Sequence, residues 1–252
     1  MDECKGASTP FASGTVLDKC LDPDCLGYET KNYQSLVGGL TYLATVSRPD
    51  IAYTVSKLAQ FHGHPHREHM LAAKRVLRYL KSKPQGTLTF LPNSHSLICF
   101  TDADWASDST DRKSYSGFAL FLGENLIAWE SKKQKVVSLS TMEAEYIAMC
   151  SGAKEVTFHR SLLQEMGFNE YTKKPTTIMC DNQSAQFLVK NPIVHQRSKH
   201  IDIRYHYLRD KYHGNELNIE YVPSEENVAD ILTKNLPKDR HEYLTGAMKL
   251  KF

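Results

Sequence analysis

Four acidic residues stand where chemistry could be done: Asp102 in CFTDADWA, Glu145 in STMEAEYIA, Asp181 in TTIMCDNQSA and Asp230 in ENVADILTK. Carboxylates brought close together repel one another unless a cation or a shared proton lies between them. Hard oxygen donors of this kind select magnesium or manganese over softer metals. Two such ions roughly 3.5–4 Å apart suit the in-line hydrolysis of a phosphodiester, one activating water and the other stabilising the leaving oxygen. The residue types therefore point to a divalent-metal site beside a nucleic-acid backbone.

The local patterns indicate how these acids are positioned. Asp102 and Asp181 each close an apolar run that reads as a strand, which places both at a sheet edge, where α/β proteins set their ligand crevices. Glu145 falls in the first turns of a long helical stretch from about Thr141 to Met166, closed by Gly167. Asp230 lies in a last helix, NVADILTK, just after Asn227, which could tie the preceding loop. Two choices stay open. Asp104 follows Asp102 at strand period, so both could face the same way. Glu143 and Glu145 lie about 200° apart around a helix, so only one of them enters the site.

Around these elements the chain changes character in steps. Residues 1–32 are rich in Gly, Ser, Thr, Pro and Asp and read as an irregular tail. Residues 33–84 turn helical, with YQSLVGGLTYLATV, RPDIAYTVSKLAQF and REHMLAAKRVLRYLKS forming a small three-helix annex; Pro49 suits a first helical turn. Residues 85–236 carry the strands GTLTFL, SLICFTDA, YSGFALFLG and NLIAWESK, which read as a meander, and then helices and strands in mixed order. Residues 237–252 read as a C-terminal tail. The expected fold is α/β: a mixed sheet flanked by helices, with an N-terminal helical annex.

Composition narrows the function classes. A chain of 252 residues with 41% apolar content can bury one sizeable core and a smaller annex. Its net charge of +2 means that affinity for nucleic acid must come from local patches. Lys132, Lys133 and Lys135, in the KKQK stretch after Trp129, are the candidates for contact with phosphates; a solvated hairpin accounts for the same residues. The six cysteines form no C-x-x-C pair and read as reduced thiols. No secretory leader and no apolar run of about 18 residues occurs, so the expected location is cytoplasmic or nuclear, with no membrane partner. The histidines at 62, 64, 66 and 69 lack a Cys or carboxylate partner at zinc-site spacing. Trp105 and Trp129 are expected to pack in or near the core.

FTDADWA, WESKKQK, LSTMEAEYIA, CDNQSA and VPSEENVADILTK closely resemble, in order and spacing, the ribonuclease H domain of copia-type retrotransposon Pol polyproteins. The likeness covers about residues 97–236. Upstream, YQSLVGGLTYLA, RPDIAY and HMLAAKRVLRYLK are similar to the segment joining reverse transcriptase to ribonuclease H, and CKGASTPF to the polymerase tail. The resemblance implies a ribonuclease H-like fold and magnesium-dependent cleavage of the RNA strand of an RNA–DNA hybrid. It assigns two metal ions, magnesium or manganese, to Asp102, Glu145, Asp181 and Asp230. One departure stands out: many ribonucleases H carry a histidine in the loop before the last aspartate, where this chain reads VPSEENVAD, leaving Glu225 or Glu226 as partial substitutes. No Tyr-x-Asp-Asp polymerase motif occurs, so the chain is expected to be a C-terminal piece of Pol whose partners are the hybrid and a polymerase domain of the parent polyprotein. The competing expectation is a catalytically silent Pol remnant that only binds nucleic acid or other partners.

Overall fold

The computed structural model describes residues 3–12, 14–15, 17–18, 29–92, 96–108, 110–191 and 199–252. Part of the irregular tail, including Cys20 and Cys25, therefore lies outside the described residues. In chain order the elements are α1 (Thr30–Val46), a 3-10 turn (Pro49–Ile51), α2 (Ala52–Ala59), α3 (Arg67–Ser82), β1 (Thr87–Leu88), β2 (Leu97–Asp104), β3 (Tyr115–Leu122) and β4 (Asn125–Lys133). There follow α4 (Thr141–Glu165), β5 (Thr176–Cys180), α5 (Gln183–Lys190), α6 (Lys199–His213), β6 (Leu217–Tyr221), α7 (Lys238–Ala247) and β7 (Leu250–Lys251). They fall into two compact units, one of Met1–Thr89 with Lys234–Phe252 and one of Phe90–Thr233.

The first unit is the helical annex. Tyr33, Val37, Leu40 and Ala44 recur every three or four residues along α1 and form its buried stripe. The Tyr33 hydroxyl donates to the Leu58 carbonyl at 2.8 Å, fixing α1 to the end of α2. Arg48 donates to both carboxylate oxygens of Asp50, at 2.9 and 2.8 Å, and the Tyr79 hydroxyl of α3 donates to the same carboxylate at 2.7 Å. His69 stacks on Phe61 with ring centroids 3.8 Å apart, and burial pulls its pKa down to about 4.

Two expectations are corrected here. The GTLTFL segment does not join the meander: β1 pairs antiparallel with β7, Thr87 against Lys251 and Leu88 against Leu250. Residues 237–252, expected as a tail, form α7 and β7. Pro237 is the N-cap of α7, and Leu244, Met248 and Leu250 are buried. His241, also buried, donates from Nε2 to the Asp50 carbonyl at 3.0 Å. The apolar anchor of this segment is too sparse to mark a helix in the sequence, because it is set by packing against the annex.

The second unit is a five-stranded sheet in the order β4-β3-β2-β5-β6. Strands β2, β3 and β4 run antiparallel as consecutive hairpins, whereas β5 is parallel to β2 and β6 is parallel to β5. The parallel pairs need crossover connections, which α4 and the α5–α6 pair supply. This is the expected mixed sheet flanked by helices. Helix α4 crosses β2 at very short range: a Cβ added to Gly152 would lie 2.8 Å from Thr101 Cγ2 and 3.0 Å from Cys99 Sγ. Around that contact Cys99, Leu120, Tyr146, Met149, Ile178 and Ile219 form the core. The segment carrying Asp230 is a 3-10 turn, Val228–Leu232, and not the expected last α-helix. Among the described residues no helix is long and apolar enough to cross a membrane.

Candidate functional site

The site is built where the parallel pairing of β2 with β5 runs out. Phe100 of β2 pairs with Met179 of β5, and continuing that register by two residues sets Asp102 level with Asp181. Asp102 is 1% exposed on the central strand and accepts a hydrogen bond on Oδ2 from the Thr233 hydroxyl. Asp181 accepts one on Oδ2 from the Ser224 hydroxyl at 2.6 Å. Asp230 arrives from the 3-10 turn, which Asn227 anchors: its Nδ2 donates to the Thr101 carbonyl at 3.0 Å, while its Oδ1 accepts from the Ala229 amide at 3.2 Å. The fully buried Asn227 thus fixes the turn to the residue preceding Asp102, as the sequence suggests.

Carboxylate oxygens of Asp102, Asp181 and Asp230 all lie within 4.8 Å of one another. A second group, Glu145, Cys180 and Asp181, meets the same limit of 4.8 Å. Asp181 belongs to both, so the four acids expected from the sequence gather around it. Asp104, at the end of β2 opposite Tyr115, is in neither group. Glu143 is occupied elsewhere: its amide donates to the N-cap Ser140 hydroxyl at 3.2 Å, and its Oε2 accepts from the Leu139 amide at 2.8 Å. It caps α4, which leaves Glu145 to face the cluster.

The donor set is suited to a hard cation. The soft atom nearby is the Cys180 sulfur, which donates to Glu145 Oε2 at 3.9 Å. Burial, reinforced by the Glu145 carboxylate, holds the Cys180 thiol well above the usual range. The remaining donors are carboxylate oxygens, which are hard ligands. Glu225 and Glu226 lie exposed in a 3-10 turn beside Ser224.

The basic stretch divides. Lys133 is drawn into ion pairs with Asp108 at 2.7 Å and Asp111 at 3.0 Å, so its charge is spent within the unit. Lys132 and Lys135 are exposed, with Lys132 3.4 Å from Glu130. Trp105 does not pack in the core as expected. It is 44% exposed, because β2 ends at Asp104 and leaves the ring on the following turn.

Sequence reasoning passed over Thr233 and Ser224, and it placed Gly117 at the start of a strand without its packing role. Gly117 pairs with Asp102 across the β2–β3 ladder, and the turn that carries Asp230 presses onto it. A Cβ there would lie 2.7 Å from Leu232 Cβ, 3.0 Å from Thr233 Cγ2 and 3.4 Å from the Ala229 carbonyl. Gly117→Ala is expected to cost about 1–3 kcal/mol through overpacking and to displace Asp230 and Thr233. Thermal unfolding and magnesium-dependent cleavage should both report the change; an unaltered melting temperature would contradict the close approach.

The retrovirus-related Pol polyprotein from transposon TNT 1-94 of Nicotiana tabacum is 39% identical over 248 residues, which is 96% of this chain and 18% of that protein. The Pol polyprotein from transposon RE2 of Arabidopsis thaliana is 41% identical over 240 residues, 93% of this chain and 16% of its own length. The chain thus spans less than a fifth of the length of these two polyproteins. No protein-family model matches it. Among solved structures, LC11-RNase H1 in complex with an RNA/DNA hybrid overlays 54% of this chain and 93% of its own, at 13% identity and a TM-score of 0.40. The second unit has a ribonuclease H-like fold, read from its strand order and directions. The chain belongs to the Pol polyproteins of copia-type (Ty1/copia) retrotransposons.

Proposed function

We propose that this segment cleaves the RNA strand of RNA–DNA hybrids by metal-assisted phosphodiester hydrolysis. The observation that carries the reading is the convergence of Asp102, Asp181 and Asp230 within 4.8 Å, with Glu145 joining through Asp181. Membership of the retrotransposon Pol family supports the hybrid as substrate, since reverse transcription produces RNA–DNA hybrids.

Asp102, Glu145, Asp181 and Asp230 would hold two magnesium ions. When bound, the ions supply charge neutralisation at the phosphate and activation of water. The chain's own contribution is preorganisation. The Thr233 and Ser224 hydroxyls fix Oδ2 of Asp102 and of Asp181, while the Cys180 thiol does the same for Glu145. Such outer contacts typically alter metal affinity or activity about 10–100-fold when lost. Asn227 holds the Asp230 turn against β2. Lys132 and Lys135 meet the phosphate backbone, whereas Lys133 holds the Asp108–Asp111 loop. A polymerase domain from the rest of the polyprotein would add substrate affinity. The buried free thiols of Cys99, Cys150 and Cys180 fit a reducing cytoplasmic or nuclear setting.

The reading is tested with the full chain, magnesium and RNA labelled within a hybrid, beside free RNA and duplex DNA. Cleavage confined to the hybrid's RNA is expected. Equal cleavage of free RNA would contradict hybrid specificity, and intact hybrid with well-folded protein would make this a silent binding module.

A further inference from the structure

The chain presents an apolar surface, on the loops that follow β2 and precede α4, that the hydrolytic reading does not use. Trp105 is 44% exposed, Val137 47% and Leu139 83%. They are neighbours in space, because the Trp105 indole nitrogen donates to the Ser138 carbonyl at 3.0 Å. Both loops border the site: Trp105 follows the strand carrying Asp102, and the Leu139 amide is held by Glu143 in the first turn of the helix carrying Glu145.

This surface is built rather than frayed. Buried Gln134 donates from Nε2 to the Ser116 hydroxyl at 2.8 Å and to the Ala144 carbonyl at 3.0 Å, and its Oε1 accepts from the Ser138 hydroxyl at 2.6 Å. Ala106, next to the tryptophan, sits at φ 50°, a left-handed conformation unusual for alanine, and its amide is held by the Ser114 hydroxyl at 3.1 Å. The Lys133 ion pairs to Asp108 and Asp111 secure the same loop. A fixed frame thus keeps three large apolar side chains in water, an arrangement that marks a binding surface. The exposed ammonium groups of Lys132 and Lys135, on the adjoining strand and loop, give the surroundings a charge that suits a polyanion.

We propose that Trp105, flanked by Val137 and Leu139, is a stacking platform for an unpaired nucleotide of the substrate next to the cleavage site. The proposal rests on the nucleic-acid reading of this unit. A ring beside a duplex cannot reach the faces of interior paired bases, which are already covered by their neighbours. An unpaired base offers a free π-face to the indole, and its backbone phosphate meets the lysines. The platform therefore favours a hybrid with a single-stranded flank over a blunt one.

The chain has two tryptophans, so Trp129→Phe leaves Trp105 as the sole indole reporter. Without divalent metal, so that no strand is cut, a hybrid carrying a short single-stranded overhang is expected to quench its fluorescence, and a blunt hybrid is not. Trp105→Ala in the wild-type background should raise the Kd for the overhang hybrid about tenfold and leave blunt-hybrid binding little changed. Leu139→Ser, at a site with nothing to lose in folding, should move it in the same direction. Absent quenching, equal quenching by both hybrids, or quenching produced only by a polymerase domain would overturn the proposal. Quenching and Kd do not depend on catalysis: a wild-type chain that quenches but never cleaves would sink the hydrolytic reading alone.

Discussion

Asp181→Asn is expected to reduce magnesium-dependent cleavage by at least about 10³-fold, because Asp181 is the acid common to both groups of converging donors. The same substitution should make the metal-free protein no less stable, and more stable if anything. Removing one charge relieves repulsion among carboxylates that lie within 4.8 Å. A cation bound only by the native state stabilises it by about 2.7 kcal/mol at a hundredfold excess over Kd. For a unit of this size that corresponds to a rise in Tm of roughly 5–10 °C. Wild-type protein should show the rise on adding magnesium, and Asp181→Asn should not. Thermal scans with and without magnesium, run beside a hybrid cleavage assay, separate loss of metal binding from loss of fold. An equal magnesium shift in both proteins would remove Asp181 from the site.

The largest expected effect on stability lies in the annex. Asp50→Ala would leave the Arg48 guanidinium without its two carboxylate bonds and the Tyr79 hydroxyl without its acceptor, in a pair whose side chains are 7% and 0% exposed. Breaking a buried ion pair from one side typically costs 3–5 kcal/mol, about four times the effect of an ordinary core truncation by one methyl group. Arg48 also donates to the Lys83 carbonyl at 3.1 Å, so the loss spreads to the end of α3. A fall in the annex melting transition on the order of 10 °C is expected, and replacing Arg48 and Asp50 together by apolar residues should recover part of it. A fall of less than about 2 °C for Asp50→Ala would show that the pair contributes little.

Two of the acids were legible in the sequence from local pattern alone. Asp181 follows the last residue of β5, while Asp102 closes an apolar run although β2 itself continues to Asp104. The choice between Glu143 and Glu145 was not legible from helical period; it follows from the structure, where Glu143 is held by the Ser140 hydroxyl and the Leu139 amide at the start of α4. What else could not be read depends on contacts between distant segments. The Thr233 hydroxyl reaches Asp102, and Leu232 presses on Gly117, only because the turn at Val228–Leu232 folds back across β3. β1 is likewise short and unremarkable in pattern, and its pairing with β7 follows from where the chain's last segment packs. Trp105 was misplaced for a related reason: apolar character alone does not show that a strand ends one residue earlier and carries the ring into solvent.

The most direct measurement of the central claim is the chemistry of the cut ends, taken from a hybrid whose RNA is labelled and incubated with the full chain in magnesium. In-line hydrolysis with the 3′-oxygen leaving places a hydroxyl on the 3′ end and a phosphate on the 5′ end of the RNA products. That outcome, abolished by Asp102→Asn, is expected. A 2′,3′-cyclic phosphate, which would mean attack by the RNA's own 2′-hydroxyl, or cleavage that survives Asp102→Asn, would contradict a hydrolytic site built on these four acids.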